Sequence, residues 1–204
     1  YKKPEQYRVN SSAIISSHDT SPFLLWWKEE CGTVDAMLVE KLCEENNFEP
    51  AAVKKALFQP AAKGAGRIRF KTEFETPEDV LKALSSTRDK AWMFYDMFRE
   101  AAFEKKKFLQ FAGCNDGCAD KELVKAALLK ANETVSVFSI QLIVDWLSLG
   151  GVFDKWDIHD TRINIPGCVD NCNWSIVMPL SLEEMQDLEI NGKIKETVKS
   201  TGRI

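Results

Sequence analysis

The chain has 204 residues, of which 45% are hydrophobic and 28% are charged, and its formal net charge is -4. This composition is typical of a globular domain that buries a core, and the negative charge argues against a general nucleic-acid-binding protein. The sequence contains no apolar run near the roughly 18 residues that a membrane-spanning helix needs. Its first residues show no signal-peptide pattern, so we expect a cytoplasmic protein with neither a membrane nor a nucleic-acid partner.

The first predicted element is a short β-branched run over residues 12–17, which favours a buried parallel strand. The run ends on His18 and Asp19, and Ser21 followed by Pro22 is typical of a helix N-cap with proline in the first turn. A carboxylate and an imidazole thus stand at the C-terminal tip of a strand, the position that carries the chemistry in α/β barrels. An aspartate in an ordinary surface turn is the alternative.

The middle of the chain is predicted to be mostly helical. Apolar residues at helical spacing indicate helices over residues 33–46 and 89–105, and Thr76-Pro77 followed by two acids marks a strong helix start. The segment Gly64-Ala65-Gly66 has no third glycine and no following Gly-Lys-Ser/Thr. It therefore predicts a turn before a short strand at 67–70 and not a phosphate-binding loop.

The second half of the chain contains a second predicted strand. Asp120 is predicted to cap a helix that runs to about Ala131, and a buried strand over residues 135–141 and a short helix over 145–149 follow. With the strand at 12–17, this arrangement predicts a β-α-β crossover that contains a large helical insertion. Ser181 and the glutamate three residues later form a capping-box pattern that predicts a last helix.

The six cysteines leave two explanations open. Cys114 and Cys118 have the same spacing as Cys168 and Cys172, and both pairs lie in polar loops, which would suit a four-cysteine zinc site. Reduced thiols are favoured, because disulfides are rare in cytoplasmic proteins.

Three segments carry a family resemblance. Residues 16–19, Ser-Ser-His-Asp, with the pair Trp26-Trp27, resemble an [ST]-x-H-D pattern followed by two tryptophans. Residues 142–150, Leu-Ile-Val-Asp-Trp-Leu-Ser-Leu-Gly, resemble L-Q-D-x-L-G-L-G, and residues 162–184 resemble R-[IM]-N-x-P-G, then N-W and L-P-L-[ST]-x-E-E-L. These patterns are the signatures of the 4-α-glucanotransferases (amylomaltases or disproportionating enzymes, glycoside hydrolase family 77). The resemblance covers roughly residues 1–30 and 120–190, and residues 20–22 and Val144 depart from the usual pattern.

The resemblance implies an α/β fold, the (β/α)₈ or TIM barrel with helical insertions. Strands 12–17 and 135–141 would be about the last two of its eight strands. Residues 1–204 would then form the C-terminal part of a catalytic barrel, with a helical insertion at about 33–118. The remaining N-terminal part of the barrel would be a partner, supplied by the same gene product or by another polypeptide.

The resemblance also implies chemistry. Retaining glycoside transfer uses a nucleophilic carboxylate and a carboxylic acid/base about 5–5.5 Å apart. Asp19 matches a third, catalytic carboxylate that stabilises the oxocarbenium-like transition state, and His18 and Asn164 match substrate-binding residues. We expect the complete enzyme to transfer α-1,4-glucan segments between maltooligosaccharides without a cofactor or a metal ion. Nothing before His18 matches the nucleophile or the acid/base, so we expect the chain alone to be inactive.

Other roles remain open for the same residues. His18 could be a packed core histidine, and Asn164 could form an Asx turn. Asp145, in the second signature, is expected to cap or brace a loop. The alternative function is a noncatalytic module that binds glucan or a protein partner, with Trp156 and Trp174 as stacking platforms.

Overall fold

The computed structural model describes residues 1–59, 66–169 and 171–203. The chain divides into two compact units, which we call the outer unit, Tyr1–Lys28 with Phe108–Ile204, and the inserted unit, Glu29–Lys107. Both contain helices and short strands, so the described chain has a mixed α/β structure. Among the described residues, no helix has the length and apolar character needed to cross a membrane.

Strands and helices are each numbered in chain order. The strands are β1 (Ser12–Ala13), β2 (Val34–Asp35), β3 (Arg67–Ile68) and β4 (Phe138–Ser139). The helices are α1 (Phe23–Leu25), α2 (Ala36–Glu45), α3 (Pro50–Leu57), α4 (Pro77–Ala83), α5 (Arg88–Ala101), α6 (Glu104–Ala112), α7 (Asp120–Asn132), α8 (Ile143–Leu149), α9 (Leu182–Gln186) and α10 (Ile190–Ser200). A π-helical turn at Trp26–Glu30 continues α1, and 3₁₀ turns lie at Pro4–Gln6 and Ile158–Thr161.

In the outer unit, β1 and β4 pair in parallel, as the predicted crossover requires, with Ser12 opposite Phe138 and Ala13 opposite Ser139. The backbone ladder is shorter than the predicted strands because a side chain replaces it. The Gln141 amide accepts a hydrogen bond from the Ile15 N–H at 3.0 Å and donates one to the Ala13 carbonyl at 3.2 Å. The two segments therefore stay joined beyond the two-residue strands.

The strand predicted over residues 135–141 forms only at Phe138–Ser139, and the prediction that it is buried is wrong. Val137, Phe138 and Ile140 are 54%, 61% and 58% exposed, and Ile14 on the neighbouring segment is 55% exposed. The physical reason is that, within the described residues, the sheet contains only β1 and β4. The apolar side chains that a further layer would cover therefore face solvent.

The core of the outer unit forms around α7. Leu123, Val124, Ala127 and Leu128 recur on one face of this helix and pack against Phe23 and the end of α6. Ala119 is the N-cap, so the predicted cap Asp120 is instead the first helical residue, where its charge favours the helix N-terminus. Asp120 also pairs with Lys28 at 2.6 Å.

The predicted end of the insertion, near residue 118, differs from the boundary between the units. Phe108 and Leu109 are buried in the core of the outer unit, and Cys114 and Cys118 pack against that core. The inserted unit accordingly ends at Lys107. Apolar residues after this position contact α7 and belong with it.

The inserted unit has a separate core. Phe94 and Phe98 of α5 are fully buried there, whereas Trp92 of the same helix is exposed. Helix α4 begins as predicted, with a capping box between Thr76 and Asp79. Strands β2 and β3 pair antiparallel. The predicted turn at 64–66 lies largely outside the described residues, which resume at residue 66.

Candidate active site

The three site residues predicted from the sequence come together in the outer unit. Asn164 Nδ2 donates a hydrogen bond to Asp19 Oδ1 at 2.7 Å, and His18 Nε2 lies 3.3 Å from Asp19 Oδ2. The His18 ring also contacts the indole of Trp174, with ring centroids 5.3 Å apart. Both oxygens of the Asp19 carboxylate are therefore oriented by side chains, one of them from the third signature segment.

The site is open to solvent. The side chains of His18 and Asp19 are 55% and 51% exposed, and Trp174 is 64% exposed. Their exposure shows that His18 is not a packed core histidine. In this arrangement a carboxylate, an imidazole, an amide and an aromatic face all contribute to one accessible surface.

A tight turn presents Asp19. The Thr20 N–H donates to the Ser17 carbonyl at 3.1 Å, and the Ser17 N–H donates to Thr20 Oγ1 at 2.8 Å. The Asp19 N–H donates to Ser17 Oγ at 3.3 Å. Thr20, one of the residues that departs from the family pattern, thus closes the turn through its hydroxyl group.

A second loop presents Asn164. The side chain of Asn173 accepts from the Ile165 N–H at 3.0 Å and donates to the Cys168 carbonyl at 2.9 Å, which holds the loop closed. The next residue, Trp174, donates its N–H to the Ile163 carbonyl at 2.8 Å and has a φ of 60°, which is unusual for a bulky residue. The sequence signature contained Asn173 and Trp174, but only the fold shows that the asparagine braces the loop.

Arg162 connects the two loops, a role that the sequence did not reveal. Its Nη1 donates to Ser21 Oγ at 2.7 Å, and its Nε donates to the Asn164 carbonyl at 3.2 Å. Ser21 is therefore not the N-cap of α1. Pro22 holds that position, and the helix begins at Phe23.

Asp145 is buried beneath the Asp19 loop and is 1% exposed. Its Oδ1 accepts a hydrogen bond from the Phe23 N–H at 2.8 Å, and its Oδ2 accepts one from the Ser16 hydroxyl. Burial raises the pKa of the Asp145 carboxyl, and the bonds from Ser16 and Phe23 partly oppose that shift. The prediction that Asp145 caps or braces a loop is confirmed, since it supplies the cap that α1 lacks.

The cysteines do not assemble into a common site. Among the described residues, no three His, Cys, Asp or Glu side chains are grouped as metal ligands, and no disulfide joins the cysteines. Cys114 and Cys118 are half-buried, whereas Cys168 and Cys172 are exposed.

Trp156 is not among the side chains that contact Asp19 or His18. It is half-buried, with its ring 5.1 Å from that of Phe153, and packs in a small core cluster with Val144 and Leu147. A cavity of about 210 Å³ next to it is lined by residues that do not include His18, Asp19 or Asn164. Trp174 and not Trp156 is thus the exposed aromatic residue beside the predicted site.

Comparisons with known proteins identify relatives. The sequence model of glycoside hydrolase family 77, described as 4-alpha-glucanotransferase, matches residues 1–181. The 4-alpha-glucanotransferases of Chlamydia trachomatis and Chlamydia muridarum are 28% and 26% identical to the chain over 192 and 196 residues, and each alignment covers 89% of this chain and 33% of the relative. The Chlamydia caviae 4-alpha-glucanotransferase is 35% identical over 89 residues, which cover 43% of this chain and 17% of the relative. No solved structure matches the chain.

The matches cover the inserted unit of this chain but only part of the length of its relatives. The chain spans about a third of the length of the curated relatives with the longest alignments. The family match runs through residues 35–115, where the sequence showed no signature, so it includes the inserted unit as well as the outer unit up to residue 181. The resemblance predicted from the three signature segments is confirmed, and the chain belongs to the 4-alpha-glucanotransferase family, glycoside hydrolase family 77.

Proposed function

We propose that the chain is the C-terminal part of a retaining 4-α-glucanotransferase and that Asp19 is the carboxylate that stabilises its transition state. The observation that carries the proposal is the convergence of His18 and Asp19, which follow the C-terminal end of strand β1, with Asn164. Active sites of α/β barrels lie at this end of the strands.

The geometry suits this role. An ionised carboxylate next to the anomeric carbon lowers the energy of an oxocarbenium-like transition state. Asn164 orients one Asp19 oxygen through a single side-chain N–H. Its second side-chain N–H and its amide oxygen Oδ1 have no hydrogen bond to another described residue and can bind a sugar hydroxyl. His18 offers a further hydrogen bond, and the exposed face of Trp174 can stack on an apolar sugar face.

The rest of the barrel would complete the site. Two adjacent parallel strands with exposed apolar side chains are what the last two strands of a barrel would present without their neighbours. In the proposal an N-terminal part, in the same or another polypeptide, supplies the nucleophile, the acid/base and those neighbouring strands. The substrates of the complete enzyme are α-1,4-glucans and maltooligosaccharides, and the reaction needs no cofactor.

One observation favours a second candidate, a noncatalytic glucan-binding module. Trp174 is exposed and lies beside a carboxylate and an imidazole within this chain, so a glucan could bind here without the rest of a barrel. The other proposed platform, Trp156, is half-buried in a core cluster and supports this candidate less well.

Maltotriose turnover separates the two candidates. The 204-residue chain and a version extended by the upstream part of the barrel are each incubated with maltotriose, and glucose and longer oligosaccharides are measured against a mock preparation. We expect transfer by the extended enzyme and none by the chain alone, because the mechanism needs two further carboxylates. Transfer by the chain alone would refute the proposal. An inactive extended enzyme, with maltoheptaose binding by the chain, would favour the module.

A further inference from the structure

We propose that Asp145 is a positioning residue for Asp19, because its two carboxylate oxygens hold the two ends of the loop that carries Asp19. Oδ2 accepts from the Ser16 hydroxyl at the start of that loop, and Oδ1 accepts from the Phe23 N–H at its end. The expected kinetic effect rests on the proposed function, whereas the geometric effect does not.

Asp145 is itself fixed by the core. It is the third residue of α8, and its neighbours Val144 and Leu147 are 0% and 3% exposed in the small core cluster that also contains Phe153. The Asp145 N–H also donates to the Leu142 carbonyl at 3.1 Å. The brace therefore transmits the position of a packed helix to an exposed loop.

Burial of the Asp145 carboxylate costs free energy, which indicates that its hydrogen bonds to the loop have a role that an apolar residue could not fill. Asp145 is 1% exposed, and its two donors are the neutral hydroxyl of Ser16 and the neutral amide of Phe23. Burial of a carboxylate is unfavourable, and an apolar residue of similar volume would avoid the penalty. Such a residue could not accept both hydrogen bonds, so the two ends of the loop would be released.

Asp19 lies in the exposed middle of this loop, which Asp145 anchors together with the local turn at Ser17 and the bond from Arg162 to Ser21. Its side chain is 51% exposed, and its direct contacts are the side chains of Asn164 and His18 and the local turn at Ser17. A displacement of about 1 Å of a catalytic group can cost about a hundredfold in rate. A change at Asp145, which cannot reach substrate from its buried position, should therefore act through Asp19.

Substitutions at Asp145 separate geometry from charge. Asp145→Ala removes both acceptors. Asp145→Asn keeps them in altered form, because its amide oxygen can accept from the Phe23 N–H and its amide nitrogen can donate to Ser16 Oγ. In the extended enzyme with maltotriose, we expect the alanine variant to lower kcat about a hundredfold with KM changed less than about threefold, and the asparagine variant to stay within about threefold of the parent.

A matched pair of serines provides the control. Ser16→Ala removes one bond to Asp145, so we expect a kcat loss between those of the two Asp145 variants. Ser148→Ala, also on α8, removes a hydroxyl that donates to the Val144 carbonyl of its own helix, and kcat should not change. A folded Asp145→Ala enzyme with parental kcat, or an Asp145→Asn enzyme as impaired as the alanine variant, would refute the proposal.

Hydrogen exchange tests the geometry without activity. In the 204-residue chain, the peptide that covers residues 16–23 should exchange faster in Asp145→Ala than in the parent and at the parental rate in Asp145→Asn and Ser148→Ala. Peptides from α7, in the core of the outer unit, report whether the unit that contains Asp145 is folded in each variant. Unchanged exchange of the 16–23 peptide in Asp145→Ala would overturn the brace, whereas an inactive parent enzyme with the expected exchange pattern would overturn only the proposed function.

Discussion

Replacement of Asn164 tests whether its amide positions Asp19 or only shapes a turn. Asn164→Ala removes the 2.7 Å bond from Nδ2 to Asp19 Oδ1. A hydrogen bond to a charged group contributes about 1.5–3 kcal/mol when it is buried. Because the Asp19 side chain is 51% exposed, we take about 1–2 kcal/mol, which corresponds to a decrease in kcat of roughly 5–30-fold.

Asn164→Asp gives a sharper comparison with nearly the same shape. It places a second carboxylate against Asp19 Oδ1, so repulsion adds to the lost bond and kcat should fall further than in Asn164→Ala. Salt screens the repulsion between the two carboxylates, so the difference in kcat between Asn164→Asp and Asn164→Ala should be smaller at high salt. The kcat of the parent enzyme should change little with salt, because the glucan substrate is uncharged.

Initial rates of glucose release from maltotriose by the extended enzyme, at low and high salt, measure both effects. The exposed residue Asn10 provides a control substitution, Asn10→Ala, that should leave kcat unchanged. If Asn164→Asp and Asn164→Ala have the same kcat at low salt, or if both have parental values, the amide does not orient Asp19.

Three further predictions concern binding and stability. Trp174→Ala should raise KM for maltooligosaccharides with a smaller effect on kcat, as expected for a platform that binds ground state and transition state alike; a loss confined to kcat would contradict this. The isolated chain should bind apolar dyes, and Ile14→Thr with Phe138→Thr should reduce that binding, because both side chains are more than half exposed; equal dye binding by parent and variant would place the apolar surface elsewhere. Hydrogen bonds, chiefly that from Lys82, hold the pKa of Asp79 below its usual value of 3.8, so its contribution to the stability of the inserted unit is fully present above that pH and is lost as the pH falls through the lowered pKa. Asp79→Asn should therefore lose less stability than the parent as the pH falls, as measured by circular dichroism during unfolding. The same loss of stability at low pH in variant and parent would contradict this prediction.

The sequence predicted the candidate site better than its surroundings. Asp19 and Asn164 were identified from two signature segments that are 145 positions apart, and the fold brings their side chains into hydrogen-bond contact. The sequence did not reveal the bracing roles of Arg162 and Asn173, and for Asp145 it indicated a brace but not the groups that it holds, because only the folded chain brings those groups together. A sequence motif does not show which group a polar side chain will bind in the folded chain.

The errors in the predicted elements have local physical causes. Ser21 before Pro22 has the pattern of an N-cap, but its hydroxyl accepts a bond from Arg162, and the N-terminus of α1 is capped from a distance by Asp145. Residues 135–141 have the composition of a buried strand, yet burial depends on what lies against them and not on their own pattern. Phe108 lies in a long helical stretch that contributes residues to two separate cores. The spacing of apolar residues along this stretch does not show where one core ends and the other begins.

If Asp19 stabilises the transition state of glucan transfer, the substitution Asp19→Asn should lower the kcat of the extended enzyme. The substitution keeps the shape of the side chain and removes its charge, so the loss should appear in kcat and not in KM. We predict a decrease in kcat for maltotriose of about a hundredfold or more, the scale seen when one preorganised electrostatic group is removed. A near-normal kcat would show that Asp19 is a surface turn residue that does not stabilise the transition state.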